Sequence, residues 1–169
     1  MIRIVVFASV LALAVSLAAC NTGLPGTQLG TFEVTAQAQT NTCGLSAPNP
    51  WTFDVQLSQD GSTLYWSWLD GSPLLSAPVT AQAATLTATE QANVDGTADG
   101  GLGPCTLERD DTLQVTLGSA SSPTTFTATI SYAISAVAGA DCADQLGAAG
   151  GQYAVLPCTM SYTATASKQ

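Results

Sequence analysis

Beyond residue 30, apolar and polar side chains alternate with a period of two. Phe32, Val34, Ala36 and Ala38 fall on one side, and Glu33, Thr35, Gln37 and Gln39 on the other. Trp51, Phe53, Val55 and Leu57 repeat the pattern against Thr52, Asp54, Gln56 and Ser58. In an extended chain successive side chains point to opposite faces, so this pattern predicts half-buried β-strands. Asp60-Gly61 is a hairpin turn signal, and Leu64, Trp66 and Trp68 carry a third strand beyond it. Asp70-Gly71 turns the chain again, into a fourth strand over residues 74–79. Residues 80–91 are rich in alanine, which suits a helix. Thr85, Thr87 and Thr89, however, alternate with Leu86 and Ala88, and β-branched residues favour a strand; a fifth strand is the expectation. Leu113, Val115 and Leu117 mark a sixth, Phe126 to Ile134 a seventh, and Leu156 to Ala164 an eighth.

No helix of ordinary length and no internal repeat interrupts this series. Two long loops rich in Gly, Ala and Asp, at residues 92–104 and 137–151, separate the later strands. The fold class expected is all-β: an antiparallel meander of about eight strands. Closing the meander into a barrel removes its exposed edges. A two-sheet sandwich satisfies the same pattern.

The first 30 residues read differently. Arg3 precedes an apolar run, Ile4 to Ala19, broken only by Ser9 and Ser16. That run is shorter than the ~20 residues a helix needs to cross a bilayer, and with its positive start it reads as a secretory signal. Leu17-Ala18-Ala19-Cys20 resembles the lipobox of bacterial lipoprotein signal peptides. The resemblance implies cleavage between Ala19 and Cys20, a diacylglyceryl thioether on Cys20, and acylation of the new amino group with a fatty acid such as palmitate. Two or more acyl chains make a stable anchor where one holds only marginally. The expected organisation is a cleaved signal peptide (1–19), a lipidated tether (20–29) with two glycines and a proline after Cys20, and a single β domain (30–169).

With the signal removed, Arg109 and Lys168 stand against 12 acids. Such a chain repels nucleic acid, because phosphate binding needs clustered Lys and Arg. Only 9% of all residues are charged, and Ala, Thr, Ser, Gln and Gly dominate the remainder. That is a globular surface of low charge density rather than a disordered polyelectrolyte. With Cys20 taken by lipid, Cys43, Cys105, Cys142 and Cys158 remain. An even number in an exported chain implies two disulfides with three possible pairings. Cys43–Cys105 with Cys142–Cys158 is the preferred pairing, because the second pair closes a short local loop. Zinc binding is the rival reading, weakened by the absence of histidine and of a Cys-x-x-Cys pair.

The absence of histidine also removes the usual base of serine and cysteine triads. No phosphate loop or dinucleotide fingerprint is present. Carboxylate pairs are the only acid–base equipment left, so a carboxylate-dependent hydrolase is the least favoured reading, and no enzyme activity or cofactor is expected. Glu108-Arg109-Asp110-Asp111 is the densest charged cluster. It reads either as a cation or substrate site or, more plainly, as a solvated strand start in which Arg109 neutralises its neighbours. Asn93-Val94-Asp95-Gly96-Thr97-Ala98-Asp99-Gly100 sets oxygen side chains at alternate positions as calcium loops do, but lacks the glycine at the sixth position and the closing Glu. Trp51, Trp66 and Trp68 either line a ligand pocket or fill a core.

Across the rest of the chain, the F-E-V strand at Phe32, T-C-G at Cys43, W-T-F-D-V from Trp51, D-G-S-T-L-Y-W from Asp60, D-C at Cys142 and L-P-C at Cys158 resemble small uncharacterised lipoproteins of high-GC Gram-negative bacteria, myxobacteria especially. That resemblance implies no activity. Asn21 after the lipid cysteine implies, by the enteric sorting rule, an outer-membrane or other cell-envelope membrane location. The leading functional expectation is a lipid-anchored, non-enzymatic binding or structural module outside the cytoplasm. The alternative is a lipocalin-like carrier of a small apolar ligand, since an eight-stranded barrel can hold one and Ala36, Ala38, Ala88, Ala128 and Ala164 at inward positions would leave it space. In a meander, alternate connections share an end. The connections after the first, third, fifth and seventh strands then lie opposite the tether, and Asp95, Asp99, Asp141 and Asp144 sit among them. Loops held by a rigid scaffold are the usual place for recognition, so this acidic end is expected to meet a cationic ligand or basic partner.

Overall fold

The computed structural model describes residues 23–94 and 105–169. Eight strands follow one another in sequence and in space: β1 (Thr27–Asn41), β2 (Trp51–Asp60), β3 (Thr63–Trp68), β4 (Leu75–Thr80), β5 (Ala83–Val94), β6 (Cys105–Leu117), β7 (Thr125–Ala136) and β8 (Cys158–Lys168). Each pairs antiparallel with the next, and β8 pairs back onto β1, so the sheet closes into an up-and-down barrel. Of the two architectures the alternation allows, the chain adopts the one without edges. Closure runs through nine residue pairs from Phe32–Lys168 to Asn41–Met160, with a bulge at Ala38/Thr40. The remaining regular structure among the described residues is two 3-10 turns, Ala143–Gln145 and Gly147–Ala149, both between β7 and β8.

The alternation fixes which residues face inward. Phe32, Val34, Val55, Leu57, Leu64, Trp66, Leu86, Leu113, Val115, Phe126 and Ile130 are buried, while the threonines, serines and glutamines between them face out. Apolar inside and polar outside is the reverse of a membrane-spanning barrel, whose outer band is apolar. Among the described residues no helix is long and apolar enough to cross a membrane.

The alanines do not leave a hollow interior. Ala36, Ala164 and Ala128 form a row across β1, β8 and β7, paired laterally with one another. In an eight-stranded barrel β3 lies opposite β7, and Trp66 of β3 reaches across to Phe126 of β7, ring centroids 5.4 Å apart and edge-on. Phe126 in turn meets Phe32 at 5.3 Å. Three large rings thus occupy the volume that the small side chains leave, as close packing demands.

The strand bounds differ from the expected ones in two instructive places. β1 begins at Thr27, three residues ahead of the domain boundary read from the sequence, because Thr27 and Gln28 already pair with Gln59 and Ser58. Buried Ser58 also donates its hydroxyl to the Pro25 carbonyl at 2.7 Å, which pins the incoming chain against β2. β6 begins at Cys105, so Glu108-Arg109-Asp110-Asp111 lies in mid-strand rather than at a solvated strand start.

Both disulfides exist, in a pairing other than the preferred one: Cys43–Cys158 and Cys105–Cys142. Barrel closure explains the correction. The end of β1 lies beside the start of β8, so Cys43 and Cys158 come within 4.9 Å between Cα atoms. Cys105 starts β6, whose neighbour is β7, and therefore lies against the connection that follows β7, where Cys142 is found. Cys43 and Cys105 belong to strand ends that are not neighbours.

Candidate functional site

Among the described residues, the strand ends that follow β1, β3, β5 and β7 lie at one end of the barrel, opposite the end at which the chain enters β1. Both disulfides are there, and their four cysteines pack with Leu107, Ile134 and Tyr153 in a second apolar cluster separate from the main core. This end is also cut unevenly. β3 and β4 have six residues each, whereas β5 has 12 and β6 has 13. β4 pairs with β5 only at Val79–Ala84 and Thr80–Ala83. Past Ala84 the wall has a notch, partly filled by the β3–β4 connection.

A cleft of about 130 Å³ opens at that notch. Trp51, Trp68, Tyr132, Leu75 and Leu113 form its apolar walls, and Asp70, Ser72, Glu90, Arg109 and Asp111 supply its polar groups. Ala88 also lines it, so this inward alanine does leave open space. A second depression, about 250 Å³, shares Glu90 and Arg109 and continues over Leu45, Val94, Leu107, Ile134 and Tyr153. The Glu90–Arg109 pair therefore stands between the two.

Strand parity puts these charges inside the mouth. Arg109 and Asp111 have the same parity as Leu113, Val115 and Leu117, and Glu90 the same as Ala84, Leu86 and Ala88. Glu90 pairs with Arg109 across β5 and β6, and Asp111 with Tyr132 across β6 and β7. Arg109 donates from Nε and Nη2 to the two carboxylate oxygens of Asp111, both at 2.8 Å. Its Nη2 also meets Glu90 at 3.1 Å, and its guanidinium lies 5.5 Å from the Tyr132 ring centroid. The fork geometry of arginine suits this bidentate contact. Glu108 and Asp110, of opposite parity, face out and accept hydrogen bonds from Gln91 and Thr89.

The pair favours Arg109 more than Asp111. The Asp111 hydrogen bonds raise the guanidinium above its ordinary value. Asp111, only 12% exposed at its side chain, is itself pushed above the usual carboxylate range because burial outweighs the hydrogen bonds and charge of Arg109. Burial, with the charge of Asp111, likewise drives the Tyr132 phenol upward. A carboxyl with a raised folded-state pKa favours the folded state when protonated. Its contribution is full below the ordinary value of 3.8 and is lost as pH rises through the folded-state value. Asp111→Asn is therefore expected to change stability at pH 7 by less than about 1 kcal/mol, half-exposed Arg109 retaining Glu90 and water, and to flatten the gain on acidification from neutral toward pH 4. Urea unfolding across that range checks it; a loss above about 2 kcal/mol at pH 7 would show instead that the ion pair outweighs desolvation.

Of the residues singled out from the sequence, Trp51 and Trp68 line the cleft, and Trp66 fills the core. Asp141 is exposed at the same end and caps the Ala143 amide at 3.2 Å. Asp144 is buried, 1% exposed, inside the β7–β8 connection rather than on its surface. Gly151 packs against its backbone and that of Gln145, so a Cβ there would collide with both carbonyls. Ala19, Cys20, Asp95 and Asp99, with most of the calcium-like stretch, lie outside the described residues. Asp70, Glu90 and Tyr132 were not singled out; continuing the parity of Leu86 and Ile130 toward the strand ends points Glu90 and Tyr132 inward. The sequence marks Asp70 only as part of a turn, and its carboxylate does accept the Ser72 amide at 2.9 Å.

Fold and site together define a closed, core-filled antiparallel barrel with a charged, aromatic cleft in its mouth. The chain matches no known protein family, no curated protein and no solved structure.

Proposed function

We propose that this protein is a lipid-anchored, non-enzymatic binding module of the cell envelope, held to the membrane through Cys20, with a small-molecule site in the barrel mouth facing away from the membrane. The observation that carries the reading is the cleft itself. It is the place in the described barrel where inward-facing charges and aromatic rings meet open space, on a rim held by two disulfides. Pockets of this kind, apolar walls with a few converging polar groups, are the usual form of ligand sites. At about 130 Å³ it is close to the roughly 150 Å³ cavity that admits benzene and well below the several hundred Å³ that drug-sized ligands need. A filled core and a small mouth support a site for a headgroup-sized ligand in the mouth over a carrier enclosing a small apolar ligand in the barrel interior. The three exposed large hydrophobics among the described residues, Leu69, Leu74 and Val155, all lie on connections at this same end, as a recognition rim would have them.

Native mass spectrometry of the full chain extracted from envelope membranes tests the proposal. A bound small molecule is expected on the wild type, and Ala88→Phe, which fills the cleft, is expected to lose it while keeping the fold. Cys20→Ala is expected to move the protein from the detergent to the aqueous phase. Unchanged partitioning of Cys20→Ala contradicts the anchor, and an adduct that survives Ala88→Phe contradicts the site.

A further inference from the structure

We propose that the mouth cleft takes a small organic cation, an alkylated or quaternary ammonium group, seated between the Trp51–Trp68 wall and the Asp70 carboxylate. The inference rests on the binding reading above and adds the ligand's chemical class.

The cleft holds three carboxylates, Asp70, Glu90 and Asp111, against one guanidinium. Arg109 is already engaged by Glu90 and Asp111, so an anionic ligand would have to compete with two carboxylates in place. Asp70 has no such partner. Lys168, the other cation among the described residues, ends β8 at the opposite end of the barrel, beside Phe32. The Asp70 carboxylate is fixed by the Ser72 amide, and that hydrogen bond keeps it ionised to lower pH than usual.

The aromatic wall supplies the second half of the site. Trp51 and Trp68 lie nearly parallel, 15° between planes with centroids 6.0 Å apart, and Phe53 packs against both at 4.3 and 4.9 Å. Indole faces attract cations through the ring quadrupole, and alkylammonium ions suit such walls because they desolvate readily. The opposite wall already shows the chemistry, since Arg109 lies over Tyr132. One cation of the cleft is thus built into the chain, and Trp51 and Trp68 line the same cleft on the side of Asp70. The volume admits a group of about six heavy atoms, which matches a trimethylammonium headgroup and excludes a bulky polycation.

Isothermal titration of the full chain with choline, with its uncharged isostere 3,3-dimethylbutan-1-ol and with benzoate tests this. Choline is expected to bind at least about tenfold more tightly than the alcohol, and benzoate not at all. Asp70→Asn, an exposed change that leaves the core untouched, is expected to weaken choline by about threefold or more, and Trp68→Leu by about tenfold. Should Trp68→Leu fail to fold, the Asp70→Asn comparison and the choline-to-alcohol ratio carry the test. Equal binding of choline and the alcohol, or tighter binding of benzoate, overturns the cation assignment while leaving a small-molecule site. No heat from any of the three, in protein shown to be folded, overturns the assignment and counts against the mouth as a binding site as well.

Discussion

Replacing Cys43 and Cys158 together with serine is expected to cost about 4–5 kcal/mol of folding stability. The pair is separated by 115 residues, and in the chain-entropy account the stabilisation grows with the logarithm of the closed loop. The Cys105–Cys142 pair spans 37 residues, for which the same account gives about 4 kcal/mol. The difference between the two is small, but position adds to it. Cys43–Cys158 sits beside the β1–β8 seam, the contact that makes the sheet a barrel and has the longest sequence separation to close. With total stabilities of about 5–15 kcal/mol typical, the double serine variant should be folded only marginally at 37 °C. Urea unfolding of the wild type and of both double variants measures this. A loss below about 1 kcal/mol for Cys43/Cys158 would contradict a stapled seam, and a non-reduced peptide map joining Cys43 to Cys105 would contradict the barrel register itself.

The second large effect belongs to Trp66. Trp66→Ala should cost about 3–5 kcal/mol, the range for deleting a buried aromatic side chain. Trp66 is fully buried, touches Phe126 and Trp68 edge-on, and shares one core cluster with Ala36, Ala164 and Ala128. Trp66→Phe should cost much less. The indole Nε1 is buried without a hydrogen-bond partner, and an unmade bond of that kind costs about 1–3 kcal/mol. Removing it offsets much of the lost ring area. If Trp66→Phe proves as damaging as Trp66→Ala, the indole N–H has a partner and the packing account of the core is wrong. If Trp66→Ala is nearly neutral, the interior is not filled as described.

These two cases also show what the sequence carries and what it hides. Alternation is local, and it revealed all eight strands because each needs only a dry and a wet face. The turn between β4 and β5 has no signal in the sequence, because Ala81 and Gln82 adopt left-handed φ of 49° and 71° without the Asn-Gly or Gly residues that usually mark such hairpins. The cysteine pairing depends on which strand ends become neighbours when the sheet closes, a property of the whole chain. The cleft depends on a difference in strand length, six residues in β3 and β4 against 12 and 13 in β5 and β6, and on where β4 and β5 part. Parity did carry part of the site. Arg109 and Asp111 continue the inward series of Leu113, Val115 and Leu117, and the correct start of β6 was all that was needed to place them inside. The same parity is silent on Ala36 and Ala88, both inward, of which one is fully buried in the core and the other lines the cleft.

The central claim is that the disulfide-bearing mouth, and not the outer wall or the end at which the chain enters β1, receives the ligand. The chain has three tryptophans, and their indole N–H resonances report on three depths of one barrel. In a ¹H–¹⁵N NMR titration with choline, the largest indole shifts should fall on Trp51 and Trp68, with Trp66 moving less, and the backbone shifts should centre on Asp70, Ser72, Glu90 and Arg109. Shifts centred instead on Thr31, Lys168 and the Asp60–Gly61 turn, or spread over the threonine-rich outer face, would contradict the claim.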